Sequence, residues 1–189
     1  MSMPASSSIV KPAASPFIHP LDEFYAQASL PLPEIETIPG PEMPQPFRQL
    51  LVHQNDMTPT LSGFYSDKIH LRVLRRQQRD DFYCRQVLLL LDASDRPIEF
   101  GAIKINLALF PPSARRPILE ERIPLGQILS DHRIVHQSRP KAYLRLRPDA
   151  YMAQILKLRG HEVLYGRRNT ISDSVQRPLA EIVEILPPA

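Results

Sequence analysis

The chain has 189 residues and a mass of 21.6 kDa, and 43% of it is apolar, enough for one well-formed core and not for two. Its net charge of +3 is uneven: residues 1–46 hold five acidic residues against Lys11, a net −4, which leaves about +7 for the remainder. A single cysteine, Cys84, excludes an intrachain disulfide and a cysteine-based metal cluster, and a start without a basic segment leading into an apolar one suits an unexported, cytoplasmic protein with no membrane span.

Ten of the 21 prolines lie within residues 1–46. They interrupt short apolar groups such as Phe24-Tyr25 and Leu30-Pro31-Leu32, so 1–46 reads as a largely irregular arm before one domain at 47–189. Pro46 suits a first helical turn, and Phe47, Leu50 and Leu51 then share a face of a short helix ending before Met57-Thr58-Pro59. After a turn at Ser62-Gly63, Ile69, Leu71 and Val73 alternate as a strand with one buried face, and Arg75 to Asp81 reads as a polar connection. Tyr83 to Leu91 is the most apolar segment. The turn Asp92 to Pro97 leads from it into a strand from Ile98 to Leu107, giving a central hairpin.

Pro111-Pro112 ends that strand, a helical stretch is expected over 116–121, and Pro124 opens another helix with Leu125, Ile128 and Leu129 buried. Asp149 can cap a helix with Tyr151, Ile155 and Leu158 on one face and Gly160 as its left-handed terminator. Val163 to Ile171 and Pro178 to Leu186 read as a closing hairpin. Short polar turns join only antiparallel strands, so the fold class is α+β with an antiparallel sheet.

Isolated charges in apolar strands carry the chemistry. Glu181 and Glu184 are an odd number of residues apart, so only one can face the core, where a carboxylate must find a partner or hold its proton. Arg85 shares a strand face with Tyr83, Val87 and Leu89; if buried, it demands a carboxylate from the protein or from a ligand. His132 and His136 are four apart but lack a third ligand, so no metal site is expected. Six glycines form no phosphate loop, and no GxSxG elbow is present. Arg72, Arg75, Arg76 and Arg79 lack the interleaved aromatics of a nucleic-acid platform, so no nucleic-acid partner is expected.

Five ordered motifs, Asp56-Met57-Thr58, Arg85-Gln86-Val87-Leu88-Leu89, Pro124-Leu125-Gly126, Gly166-Arg167-Arg168 and Arg177-Pro178 through Glu184, resemble the chorismate pyruvate-lyase family over residues 47–188. The resemblance implies a monomeric, six-stranded antiparallel sheet with helices packed on one face and a buried ligand pocket under flaps. It implies a carbon-oxygen lyase without metal or organic cofactor, eliminating pyruvate from chorismate to leave a hydroxybenzoate. By carry-over Arg85 anchors the ring carboxylate, Glu184 is the general acid, and Met57 and Leu125 line the pocket. A related fold serves as the ligand-sensing (UTRA) domain of bacterial transcription regulators, so the alternative is a non-catalytic binder of an aromatic or cyclic carboxylate. Such sensors follow a winged helix-turn-helix, which residues 1–46 do not read as, and retention of Arg85 and Glu184 further favours the enzyme.

Overall fold

The computed structural model describes residues 18–160 and 162–189. In chain order its elements are α1 (Leu21–Gln27), β1 (Glu34–Ile38), α2 (Phe47–Leu51), α3 (Met57–Tyr65), β2 (Ile69–Arg79), β3 (Phe82–Leu91), β4 (Pro97–Asn106), α4 (Pro112–Glu120), α5 (Leu125–Asp131), β5 (Gln137–Arg147), α6 (Ala150–Ile155), β6 (Leu164–Ser172) and β7 (Pro178–Leu186). Three tight reversals set the sheet. Asp80, Asp95 and Gln176 take φ of 51°, 53° and 66°, a left-handed conformation that aspartate tolerates better than most side chains. They fold β2 onto β3, β3 onto β4 and β6 onto β7. In the last of these turns Asp173 accepts from the backbone N–H of Val175 at 3.0 Å and of Arg177 at 2.8 Å.

The result is an antiparallel sheet of seven strands, ordered β1-β5-β6-β7-β4-β3-β2. The expected count was six. The additional strand, β1, comes from the arm expected to be irregular: its prolines flank Glu34–Ile38 without entering it, so its backbone is free to pair with Tyr143–Arg147 of β5. Residues 1–17 of that arm lie outside the described residues.

β5 itself went unrecognised in the sequence. Pro140 obscures it, yet this proline sits beyond the reach of β1, where its missing N–H costs no ladder bond. β2 runs through the arginines read as a connection, because an edge strand needs only one paired neighbour and can leave Arg75, Arg76, Gln78 and Arg79 in or near solvent. Met57 to Tyr65 is helical, so the turn expected at Ser62-Gly63 lies inside α3, and Pro59 falls within its first turn where no N–H is needed.

Helices cover both faces, not one. On the face carrying Arg85, Val87 and Leu89 lie α2 to α5, whose side chains form two apolar clusters. On the other, Leu21, Phe24 and Tyr25 of α1 and Met152 of α6 pack on Cys84, Leu88, Leu90, Phe100 and Val183. The arm therefore closes the second face, burying aromatic surface that the domain alone leaves uncovered. Asp149 caps α6 as expected, accepting from Met152 N–H at 2.7 Å. The left-handed residue after α6 is Lys157 (φ 55°), not Gly160, because the helix stops at Ile155. Among the described residues no helix is long and apolar enough to cross a membrane.

Gly101, in the middle of β4, has a packing reason to be glycine. A Cβ there would lie 2.0 Å from the Val183 carbonyl oxygen, whereas a Cβ on Gly63 in α3 meets nothing within 4 Å. Gly101→Ala is expected to destabilise the fold by about 3 kcal/mol or more, the upper range for overpacking. Gly63→Ala is expected to stabilise it by up to about 1 kcal/mol through helix propensity. Urea unfolding of both variants measures the opposite signs.

Candidate functional site

The register places three rows of side chains across one face of the sheet. The first reads Arg85, Ile103, Ile182, Asn169; the second Val87, Gly101, Glu184, Arg167; the third begins Leu89, Glu99. These rows fall between the two apolar clusters on that face, one under α4 and α5 and the other under α2 and α3. The seam is a cavity, lined by Arg85, Glu99, Asn169 and Glu184 among apolar side chains. Its volume is about 60 Å³, well beyond the roughly 10–15 Å³ that one water requires.

Its roof is built from two helix starts. Met57 and Thr58 open α3, Leu125 and Gly126 open α5, and all four line the cavity. A Cβ on Gly126 would lie 3.5 Å from Thr58 Oγ1 and 3.6 Å from Asp56 Cβ, so the two starts are in close approach. Asp56 does not cap α3; its Oδ2 binds His136 Nε2 at 2.8 Å, tying the roof to the segment before β5. That hydrogen bond holds the His136 pKa above its usual value, against the effect of burial. His136 is engaged by Asp56, and His132 ends α5. Among the described residues no group of three or more potential metal ligands converges.

The structure brings Arg85, Glu184, Met57 and Leu125 to this one cavity. Glu181 lies on the other face, 3.5 Å from Arg168, as the odd spacing requires. Arg85 is 1% exposed. Its Nη1 donates to the Ile118 carbonyl at a long 3.3 Å, and its Nε has no partner. Among the described residues it forms no ion pair; Glu121, whose charge acts on it, is engaged by the Tyr83 hydroxyl and by Arg76. Burial acts against the guanidinium's charge, yet arginine does not deprotonate in proteins, so a net positive charge faces the cavity.

Glu184, 4% exposed, is paired with Arg167, which is fully buried. Arg167 also donates to the carbonyls of Leu51 (3.4 Å), His53 (3.1 Å) and Asn55 (3.1 Å). One guanidinium therefore ties Glu184 to the segment leading into the roof at Met57. A desolvated carboxylate must find a partner or hold its proton; Glu184 has found the partner.

Glu99 has not. It is 5% exposed, its Oε2 is without a hydrogen bond, and burial followed by the neighbouring Glu184 charge raises its pKa well above the usual carboxylate value. Asn169 donates to Ser138 Oγ at 2.8 Å, while its Oδ1 is unpartnered. Sequence reasoning missed Glu99, Arg167 and Asn169 as site residues. Glu99 carried a readable signal, an acid between Ile98 and Phe100 in an apolar strand; the other two required the register of β6 against β7.

No protein-family model matches the sequence and no curated protein matches it. Solved structures resemble it in fold. The SA0254 gene product of Staphylococcus aureus is 10% identical over 63% of this chain and 82% of that one, with a TM-score of 0.51. PhnF from Mycobacterium smegmatis is 10% identical over 72% of this chain, with a TM-score of 0.52, and the match spans 65% of PhnF, less than two thirds of it. The effector domain of PhnF is 10% identical over 69% of this chain and 87% of that one, with a TM-score of 0.52. At these identities the likeness is one of fold alone, shared with an effector domain.

The Glu99 carboxyl makes stability depend on pH. Its folded pKa is raised above the unfolded 4.5, so the unfolded chain releases the proton first and stability falls as pH rises through that window, by at most about 1.4 kcal/mol per pH unit. Glu99→Gln, which cannot ionise, is expected to lose less melting temperature than wild type between pH 5 and pH 8 in calorimetry.

Proposed function

We propose that the chain is a ligand-binding protein whose cavity takes a small cyclic or aromatic carboxylate that also carries a hydroxyl or ether oxygen. One observation carries this reading: Arg85 is a buried guanidinium in the cavity wall, with an unpaired Nε and no ion-pair partner among the described residues. A buried charge without a counter-charge is costly. A ligand carboxylate offsets that cost through charge-assisted hydrogen bonds, bidentate where both ligand oxygens engage the guanidinium fork. The apolar lining from Leu71, Val87, Leu89, Ile103, Leu125 and Ile182 suits a ring. Asn169 Oδ1 is an acceptor for a ligand hydroxyl. The fold shared with the PhnF effector domain supports a binding role over a catalytic one.

A second reading is favoured by the convergence of Arg85, Glu184, Met57 and Leu125 on the cavity. In it, the protein is a cofactor-independent chorismate lyase. Arg85 would hold the ring carboxylate, Met57 and Leu125 would enclose the ring, and Glu184 would give a proton as the enolpyruvyl ether departs. The Arg167–Glu184 pair weighs against that last role, since Glu184 must first be released from a guanidinium it accepts from.

Calorimetric titration with 4-hydroxybenzoate tests the first reading. Binding to wild type is expected, with Arg85→Ala weakening it by roughly 30-fold or more, the equivalent of losing about 2 kcal/mol from a buried charged contact. Equal affinity in the two proteins rejects it. Incubation with chorismate separates the second: pyruvate release lost in Glu184→Ala establishes turnover, while tight hydroxybenzoate binding without pyruvate leaves a binding protein.

A further inference from the structure

Resting on the carboxylate-binding reading above, we infer that Glu99, not Glu184, supplies the hydrogen-bond-donating carboxyl group of the cavity and so selects ligands with an uncharged acceptor oxygen away from the carboxylate. The geometry assigns the two acids different work. Glu184 stands in the middle row, its Oε2 receiving the Arg167 N–H. Glu99 stands in the row beyond, diagonal to Glu184 across the β4–β7 ladder, where cross-strand side chains are within reach of each other. Two ionised carboxylates so placed repel, and only one of them has a guanidinium.

Glu99 lines the cavity, is buried, and has an oxygen that no described group satisfies. Burial and the Glu184 charge both favour its neutral form, while Arg167 acts the other way. A neutral carboxyl has one O–H to donate, and no described residue accepts from Glu99 Oε2. The charge pattern follows. With Arg167 and Glu184 cancelling and Glu99 neutral, Arg85 leaves the cavity one positive charge, matched by a ligand with a single carboxylate. A second carboxylate at the Glu99 end would lie against two acids. Arg85 and Glu99 sit four residues apart along the ladder, since Glu99 opposes Leu89, roughly 13 Å at 3.3 Å per residue. Both side chains line the same cavity, at its two ends along the strands.

The charged groups acting on Glu99 are Glu184 from β7 and Arg167 from β6; Arg85 from β3 and Asp56 share the cavity wall, with His136 bound to Asp56 and His53 beside Arg167. All are common to wild type and Glu99→Gln, so the difference between the two proteins isolates Glu99. The sign is fixed by the donor: affinity is kept while Glu99 holds its proton and falls as pH rises through its ionisation, by up to tenfold per pH unit for one proton.

The test is calorimetric titration of wild type, Glu99→Gln, Glu184→Gln and Arg85→Ala with 4-hydroxybenzoate and with benzene-1,4-dicarboxylate between pH 5.5 and pH 8.5. Expected are weaker 4-hydroxybenzoate binding to wild type at the alkaline end, a flatter profile in Glu99→Gln with affinity retained by its N–H donor, and poor dicarboxylate binding throughout. Arg85-dependent binding with coincident wild-type and Glu99→Gln profiles overturns the inference and leaves the cavity reading intact. A profile flattened by Glu184→Gln and not by Glu99→Gln also overturns it. No Arg85-dependent binding at any pH overturns both.

Discussion

A single buried ion pair, Arg167 with Glu184, sets the character of the cavity. Arg167 is fully enclosed, and its remaining N–H groups are consumed by carbonyls of residues 51, 53 and 55. A charge removed from water in this way requires saturation on every side. Arg167 obtains it by drawing the segment before α3 onto the sheet, which brings Met57 over the site. The same pairing removes Glu184 as a counter-charge for Arg85 and leaves Glu99 beside a carboxylate already in use. One satisfied guanidinium thereby leaves another unsatisfied.

The apolar core on that face is divided, not continuous. Tyr83, Ile103, Ile105 and Ile171 belong to the cluster under α4 and α5, while Leu89, Leu91 and Ile98 belong to that under α2 and α3. Between them the strands carry Arg85, Glu99, Gly101, Glu184 and Asn169, where a protein selected for stability alone would carry branched apolar side chains. An unpaired buried polar group costs about 1–3 kcal/mol, and three residues here have one: Arg85, Glu99 and Asn169. Such a local departure from good packing is the physical ground for the proposed binding site.

The opposite face repays this with ordinary packing. Its apolar cluster, from Ile18 through Phe24 and Tyr25 to Phe100, Val183 and Ile185, forms one group, with the buried Asp22 of α1 beside it facing His19. The arm contributes to it through α1, and β1 extends the sheet at its other end. The proline-rich segment is therefore partly a structural clamp on the face opposite the cavity, while the face that holds the cavity is covered by α2 to α5.

The sequence by itself determined the α+β class, the antiparallel hairpins and the opposed faces of Glu181 and Glu184, because these follow from turn chemistry and a side-chain period of two, which are local. On the same ground it marked Arg85, and one of Glu181 and Glu184, as charges that need a partner if buried. Partnership was beyond it. Whether Arg167 or Arg85 would meet Glu184, whether Glu99 would be paired, and whether residues 34–38 would join the sheet depend on which strands become neighbours and in what register. Those are properties of long-range pairing, fixed only when the chain closes on itself, and they decided which acid is bound and which is left facing the cavity.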